Sequence, residues 1–291
     1  MTDNGKSVSL VLGSGGARGL VHIGIINWLQ ENNYRIESIA GCSMGALVGG
    51  VYALGKLDEF TDWVKAITTL EMIKLMDFSL GKGGLVKGDK IINTLAGLTG
   101  HSLIEDLPIA FTAVAADIAN EKEIWISEGP IFDAIRASIS LPLLFAPFER
   151  KGAKLLDGGI LNPVPIAPTF KDHTDLTIAV NLSGPPDFSL NKNIEPPAVL
   201  QTEPSSFTKK IDRFIDSITP DASERSSSSM YKVAYQAIDA MQGTIARQKL
   251  AAYPPDKLLE VPRNLCGTLE FDRADELIQY GYALAARELA D

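Results

Sequence analysis

Cysteine is almost missing from this chain: Cys42 and Cys266 are the only two in 291 residues. That excludes a disulfide scaffold and suits a reducing compartment, with both thiols free. Basic residues are in deficit, 27 Lys and Arg against 36 Asp and Glu, for a net charge of −9. Such a surface repels phosphate backbones, so nucleic acid is excluded as a partner. Long apolar runs are lacking too. The charge-free stretch from Ser38 to Gly55 reaches 18 residues, but five are glycines, so it reads as strand, turn and helix rather than a membrane span. The N-terminus MTDNGKSVSLVLGSGG has neither the basic nor the long apolar region of a secretory signal, and a cytoplasmic protein is expected.

What is present is ordinary globular material, 45% hydrophobic and 22% charged, which excludes collagen-like, coiled-coil and wholly disordered chains. Ser7–Leu12 is a short apolar run suited to a buried parallel strand, and Leu20, Ile23, Ile26 and Leu29 come after it at helical spacing. Ile36–Ala40 is a second run, succeeded by GCSMG and a helix ending near Gly55. This strand, helix, strand, helix order predicts an α/β sheet with helices on its faces. Further strands are expected at 109–116, 123–126, 154–156, 176–181 and 258–261, and helices at 58–76, 230–253 and 274–290. Six prolines and nine serines between Pro185 and Ser229 mark a long mobile excursion, inside which Phe207, Ile211, Phe214, Ile215 and Ile218 share a helical face. With no internal repeat and no clear boundary, 1–291 reads as a single domain, its 230–291 part helical.

Glycines mark three candidate sites. The first, GSGGARG (Gly13–Gly19), sits at a strand end before a helix. Counted from Gly13, a dinucleotide fingerprint puts Arg18 where its third glycine belongs, and no Gly-Lys-Ser/Thr is present for a P-loop. What remains is a run of backbone N–H groups at a helix start, suited to a developing oxyanion, or simply a tight turn. The second, GCSMG (Gly41–Gly45), has the nucleophile-elbow form G-x-S-x-G: Ser43 is placed in a strained strand-to-helix turn, and Gly41 and Gly45 relieve the crowding around it. The third, LLDGGILNPVP (Leu155–Pro165), ends a strand at Asp157, where open α/β sheets present ligand-binding groups; read alone, it is an Asp-Gly turn.

A nucleophilic serine needs a base, and the histidines are His22, His101 and His173. His173 lies in the polar turn FKDHTD and His101 in a loop, both read as solvated; His22, one turn into the first helix, is placed to brace the glycine loop or to sit on the helix surface. Cys42 beside Ser43 is expected to point away from the site as a small packed hydrophobe.

Together, GSGGARGLVHIG, GCSMG and DGGILNP, in this order and with RASISLPLLFAP (Arg136–Pro147) ahead of the aspartate, resemble the patatin-like phospholipase family from about Ser7 to Ser183. Ser14 departs from the glycine many members carry. The resemblance implies a three-layer α/β/α fold with a mostly parallel central sheet, Ser43 as nucleophile, Asp157 as its dyad partner, and an oxyanion hole from Gly15, Gly16, Ala17, Arg18 and Gly19. It implies acyl transfer from a fatty-acyl ester of phospholipid or lysophospholipid type, with neither metal nor cofactor. Leu141, Pro142, Leu143, Leu144 and Phe145 offer an apolar wall for the acyl chain. The 207–218 helix, with Lys209, Lys210 and Arg213, is a candidate for transient membrane-surface contact. A non-catalytic partner-binding protein on this fold and a soluble small-ester hydrolase or thioesterase are the alternatives.

Overall fold

The computed structural model describes residues 5–67, 71, 75, 86–191 and 225–290, with the helical backbone alone for 225–232. In chain order the strands are β1 (Ser7–Leu12), β2 (Arg35–Cys42), β3 (Ala110–Asp117), β4 (Lys122–Ile126), β5 (Phe148–Arg150), β6 (Ala153–Asp157), β7 (Leu176–Gly184) and β8 (Lys257–Pro262). The helices are α1 (Val21–Glu31), α2 (Met44–Ala53), α3 (Leu57–Ala66), α4 (Asp89–Thr99), α5 (Ile131–Ser138), α6 (Arg225–Ala252) and α7 (Ala274–Leu289). A 3₁₀ turn at Gly16–Leu20 leads into α1, and another at Gly158–Ile160 comes directly after β6.

All eight strands join one mixed sheet. Pairing is parallel from β8 through β7, β1 and β2 to β3, and antiparallel where β4, β6 and β5 complete it. The alternation of side chains along the central strands sorts the core into two layers. Leu10 and Leu12 of β1, with Ile178 and Val180 of β7, join the large apolar cluster that includes residues of α1, α2 and α7. Val11 and Ala179, between them in sequence, face the other way and pack with Val164, Ile166 and Ala246 of α6. The three-layer α/β/α arrangement expected from the sequence is therefore present, with helices on both faces.

The pairing of β3 positions the site. β4 lies along one edge of β3 from Ala113 to Asp117, so the other edge is shared by two strands. Residues 110–114 pair with β2, running parallel, and 115–117 pair with β6, running antiparallel. β2 and β6 thus approach each other head-on, and their last residues, Cys42 and Asp157, lie opposite the successive residues Val114 and Ala115.

Three elements were not foreseen: α4, α5 and the three-residue β5. The helix expected over 58–76 ends at Ala66, where Ile67 is extended; most of 68–85 lies outside the described residues. The expected excursion at 185–229 is structured at its ends, with a 3₁₀ turn at Phe188–Asn191 and α6 starting at Arg225 instead of Met230. The 207–218 face, with Lys209, Lys210 and Arg213, lies outside the described residues. Among the described residues no helix is long and apolar enough to cross a membrane.

Candidate active site

Ser43 stands alone between the end of β2 and the start of α2, with φ 55° and ψ −123°. This is a costly backbone conformation for a residue with a side chain, and it is the geometry of a nucleophile elbow. The flanking glycines are required by close approach. A Cβ on Gly41 would stand 2.5 Å from the Gly45 carbonyl oxygen, and one on Gly45 would stand 2.0 Å from that of Leu12. The Ser43 N–H donates to Ser138 Oγ at 2.9 Å, and Ser138 Oγ donates to the Val114 carbonyl at 2.6 Å, fastening the turn to α5 and β3.

Asp157 is fully buried where β6 meets β2. Its N–H donates to the Ser140 carbonyl at 2.9 Å, and its Oδ1 accepts from the Gly159 N–H at 2.7 Å and from the Cys42 thiol at 3.7 Å. Oδ2 is buried without a hydrogen-bond partner among the described residues. Burial pushes the carboxyl up to about 6, against the opposing pull of the Ser43 hydroxyl, the Gly159 N–H and the Cys42 thiol. The expectation that Cys42 points away from the site is corrected: in the head-on register of β2 and β6 its thiol meets the aspartate, and burial beside that carboxyl holds it protonated.

The glycine loop is less uniform than its sequence. The Ala17 N–H is already committed to the Thr268 carbonyl at 2.8 Å, which removes it from the five expected donors, and Arg18 and Gly19 lie inside the 3₁₀ turn. The Gly15 and Gly16 N–H groups, at the start of that turn, have no hydrogen-bond partner among the described residues. Arg18 is buried and its guanidinium anchors the loop, donating to the Gly15 carbonyl at 3.2 Å, the Arg263 carbonyl at 2.8 Å and Asp239 Oδ1 at 2.8 Å. His22, fully buried, bonds through Nε2 to the Gly13 carbonyl at 2.9 Å, and burial lowers it to about 4, so it braces the loop as a neutral ring.

Ser43 opens into an apolar pocket of about 870 Å³, mouth included, with Gly16, Leu47, Phe60, Trp63, Leu95 and Phe145 in its wall. Of the five wall residues expected, Leu141, Leu144 and Phe145 line it, while Pro142 and Leu143 do not; Leu143 is exposed at φ 70°. Buried Arg136 shapes this wall: it donates to Ser140 Oγ at 2.6 Å, to the Ala146 carbonyl at 3.0 Å and to the Lys87 carbonyl, and stacks 5.7 Å from the Phe145 ring centre. A second, more polar chamber of about 330 Å³, mouth included, also reaches Ser43, lined in part by Ser14, Gly15, Tyr235, Asp239 and Gln242.

No histidine lines either chamber among the described residues. His101 is exposed and stacks edge-on to Phe132, and His173 is exposed. The sequence reading missed the α6 contribution: Tyr235, Ile238, Asp239 and Gln242 recur at helical spacing, and all four line the polar chamber. Burial pushes the Tyr235 phenol up, with the Thr268 side chain as its hydrogen-bonding neighbour.

The patatin-like phospholipase family model matches residues 10–170, a span that holds the glycine loop, the elbow and Asp157. NTE family proteins of Mycobacterium tuberculosis and Mycobacterium bovis are 39% identical to this chain over 97% of its length and 91% of theirs. A lysophospholipase of Pyricularia oryzae is 28% identical over 96% of this chain and 18% of its own length. The crystal structure of VipD from Legionella pneumophila superposes with a TM-score of 0.46 at 15% identity, covering 99% of this chain and 67% of that one. With more than half its residues matched by the family model and full-length relatives at this identity, the chain belongs to the patatin-like phospholipase family of lipid hydrolases.

Proposed function

We propose that this protein cleaves fatty-acyl carboxyl esters of phospholipid or lysophospholipid type through a Ser43–Asp157 dyad, without a histidine. The observation that carries the reading is the buried Asp157 carboxyl, whose Oδ2 makes no hydrogen bond of ordinary length and on which the hydroxyl of Ser43, held on a strained elbow, exerts its pull. In acylation, the Ser43 hydroxyl proton passes to Asp157 as Oγ attacks the ester carbonyl carbon. The oxyanion takes the Gly15 and Gly16 N–H groups, each such donor being worth about 3 to 4 kcal/mol in comparable sites. Collapse expels the alcohol, which carries off the proton from Asp157. Water then attacks the acyl-enzyme by the same route in reverse, releasing the fatty acid and restoring Ser43. A carboxyl near pH 6 is a better-matched base than an ordinary aspartate.

The lipid class is supported by the apolar pocket at Ser43 and by the lysophospholipase among the relatives. A cytoplasmic chain that meets its substrate at a membrane surface fits this chemistry. The test is labelling with a fluorophosphonate and peptide mapping of the product, with a single adduct on Ser43 expected. A folded protein that stays unlabelled, or labels elsewhere, overturns the dyad. Rates should also climb from acetyl to long-chain esters of one alcohol; a flat series overturns the lipid substrate.

A further inference from the structure

The two chambers that meet at Ser43 differ in kind. The apolar one suits an acyl chain and offers water few polar partners. An acyl-enzyme nevertheless has to be reached by water. The polar chamber offers that approach, and its charges are already spent on each other: Arg18 and Asp239 form an ion pair at 2.8 Å. Its uncommitted polar side chains are Gln242 and Ser14. Gln242, at 7% exposure, and Ser14 both line the chamber; among the described residues neither side chain makes a hydrogen bond and neither is sealed from solvent, so both face the space it encloses. A primary amide turned into a small chamber without a protein partner is available to a hydrogen-bonding ligand that the chamber admits.

Gly159 shows how near these groups lie to one another. A Cβ at that position would stand 2.6 Å from Ser14 Oγ, 3.0 Å from Asp157 Oδ1 and 3.0 Å from Gln242 Nε2. The hydroxyl and the amide, which line the chamber together with Ser43, thus both come close to the glycine next to the Asp157 carboxyl. We propose that Gln242, assisted by Ser14, binds the oxygen that leaves and enters at the acyl carbon: the alcohol oxygen in acylation and the water oxygen in deacylation. This deepens the acyl-hydrolase reading and rests on it. In the second half-reaction the amide orients water toward the carbonyl of the Ser43 ester. One water proton goes to Asp157, the C–O bond to Ser43 breaks, and Asp157 returns the proton to Ser43 Oγ. An amide both donates and accepts, so it can hold a water whichever way it is turned.

The experiment uses p-nitrophenyl octanoate, whose leaving group departs without a proton and so makes little demand on Gln242 during acylation. Quenched-flow mass spectrometry tracks formation and decay of the Ser43 octanoyl adduct in wild type and in Gln242→Met, a chain of similar length without the amide. Formation should stay within about twofold while decay slows about tenfold, the equivalent of one hydrogen bond. Gln242→Ala carries the same test should the methionine variant not fold, alanine being the best helix former. Equal decay rates, or formation and decay falling together, overturn the role of Gln242. A wild type that forms no adduct overturns the acyl-hydrolase reading itself.

Discussion

The Cys42 thiol donates to Asp157 Oδ1 across 3.7 Å, sharing that oxygen with the Gly159 N–H and leaving Oδ2 free beside Ser43. The cysteine next to the proposed nucleophile thus touches the proposed base. Two donors on one oxygen hold the carboxyl plane and favour its ionised form.

Cys42→Ala removes one of those donors. The acidic limb of kcat/KM, set by Asp157 near pH 6, should then move upward by on the order of half a unit, since a thiol is a weak donor. Cys42→Ser restores a stronger donor and should move the limb down. Profiles measured on a soluble ester decide this, and limbs that coincide in all three proteins would remove Cys42 from the machinery.

The elbow and the aspartate were legible because each is a local event: a glycine-flanked serine between an apolar run and a small-residue helix, and an Asp-Gly-Gly at a strand end. Their meeting was not legible. It depends on β2 and β6 sharing one edge of β3, a long-range pairing that leaves no local mark. The pocket wall hid for another reason. Phe60, Val64, Ile91 and Leu95 carry ordinary helical periodicity, and nothing in that pattern separates a residue facing a cavity from one facing the core. Tyr235 and Gln242 lie about 200 positions beyond Ser43 on a largely polar helix, where a site-facing stripe looks like a solvated face. The short α5 runs into the segment Arg136–Pro147 already assigned to the family motif, and the three residues of β5 are too few for any period to show.

Asp157 should weaken the fold that holds it. Its native pKa of about 6 lies above the reference of 3.8, so the folded state binds more protons than the unfolded one between those values. Stability is then fully retained below about pH 4 and lost as pH rises through about 6, with a cost at pH 8 on the order of 3 kcal/mol. Asp157→Asn keeps the shape without the charge. It should abolish turnover, unfold at higher urea than wild type at pH 8, and match wild type at pH 4. A variant less stable than wild type at pH 8 would contradict a charge penalty at this position.

Arg18 joins the glycine loop to two distant segments through one guanidinium: the Gly15 carbonyl, the Arg263 carbonyl after β8, and Asp239 on α6. Asp239 is partly exposed while Arg18 is buried, so the pair is asymmetric. Removing the carboxylate leaves a desolvated cation with two carbonyl acceptors; shortening the arginine to a lysine leaves one point donor where three directions were served. Asp239→Asn keeps an oxygen facing Arg18 and should lower kcat only several-fold. Arg18→Lys releases the Gly15 peptide, whose N–H is one of the two free donors, and should lower kcat on the order of 10²-fold, the cost of one misplaced oxyanion donor. KM should change little in either, because the acyl pocket is built from other elements. Steady-state kinetics on a soluble ester, with circular dichroism confirming the fold, separate the two variants. An Arg18→Lys enzyme with wild-type kcat would mean that the loop holds its geometry without the clamp.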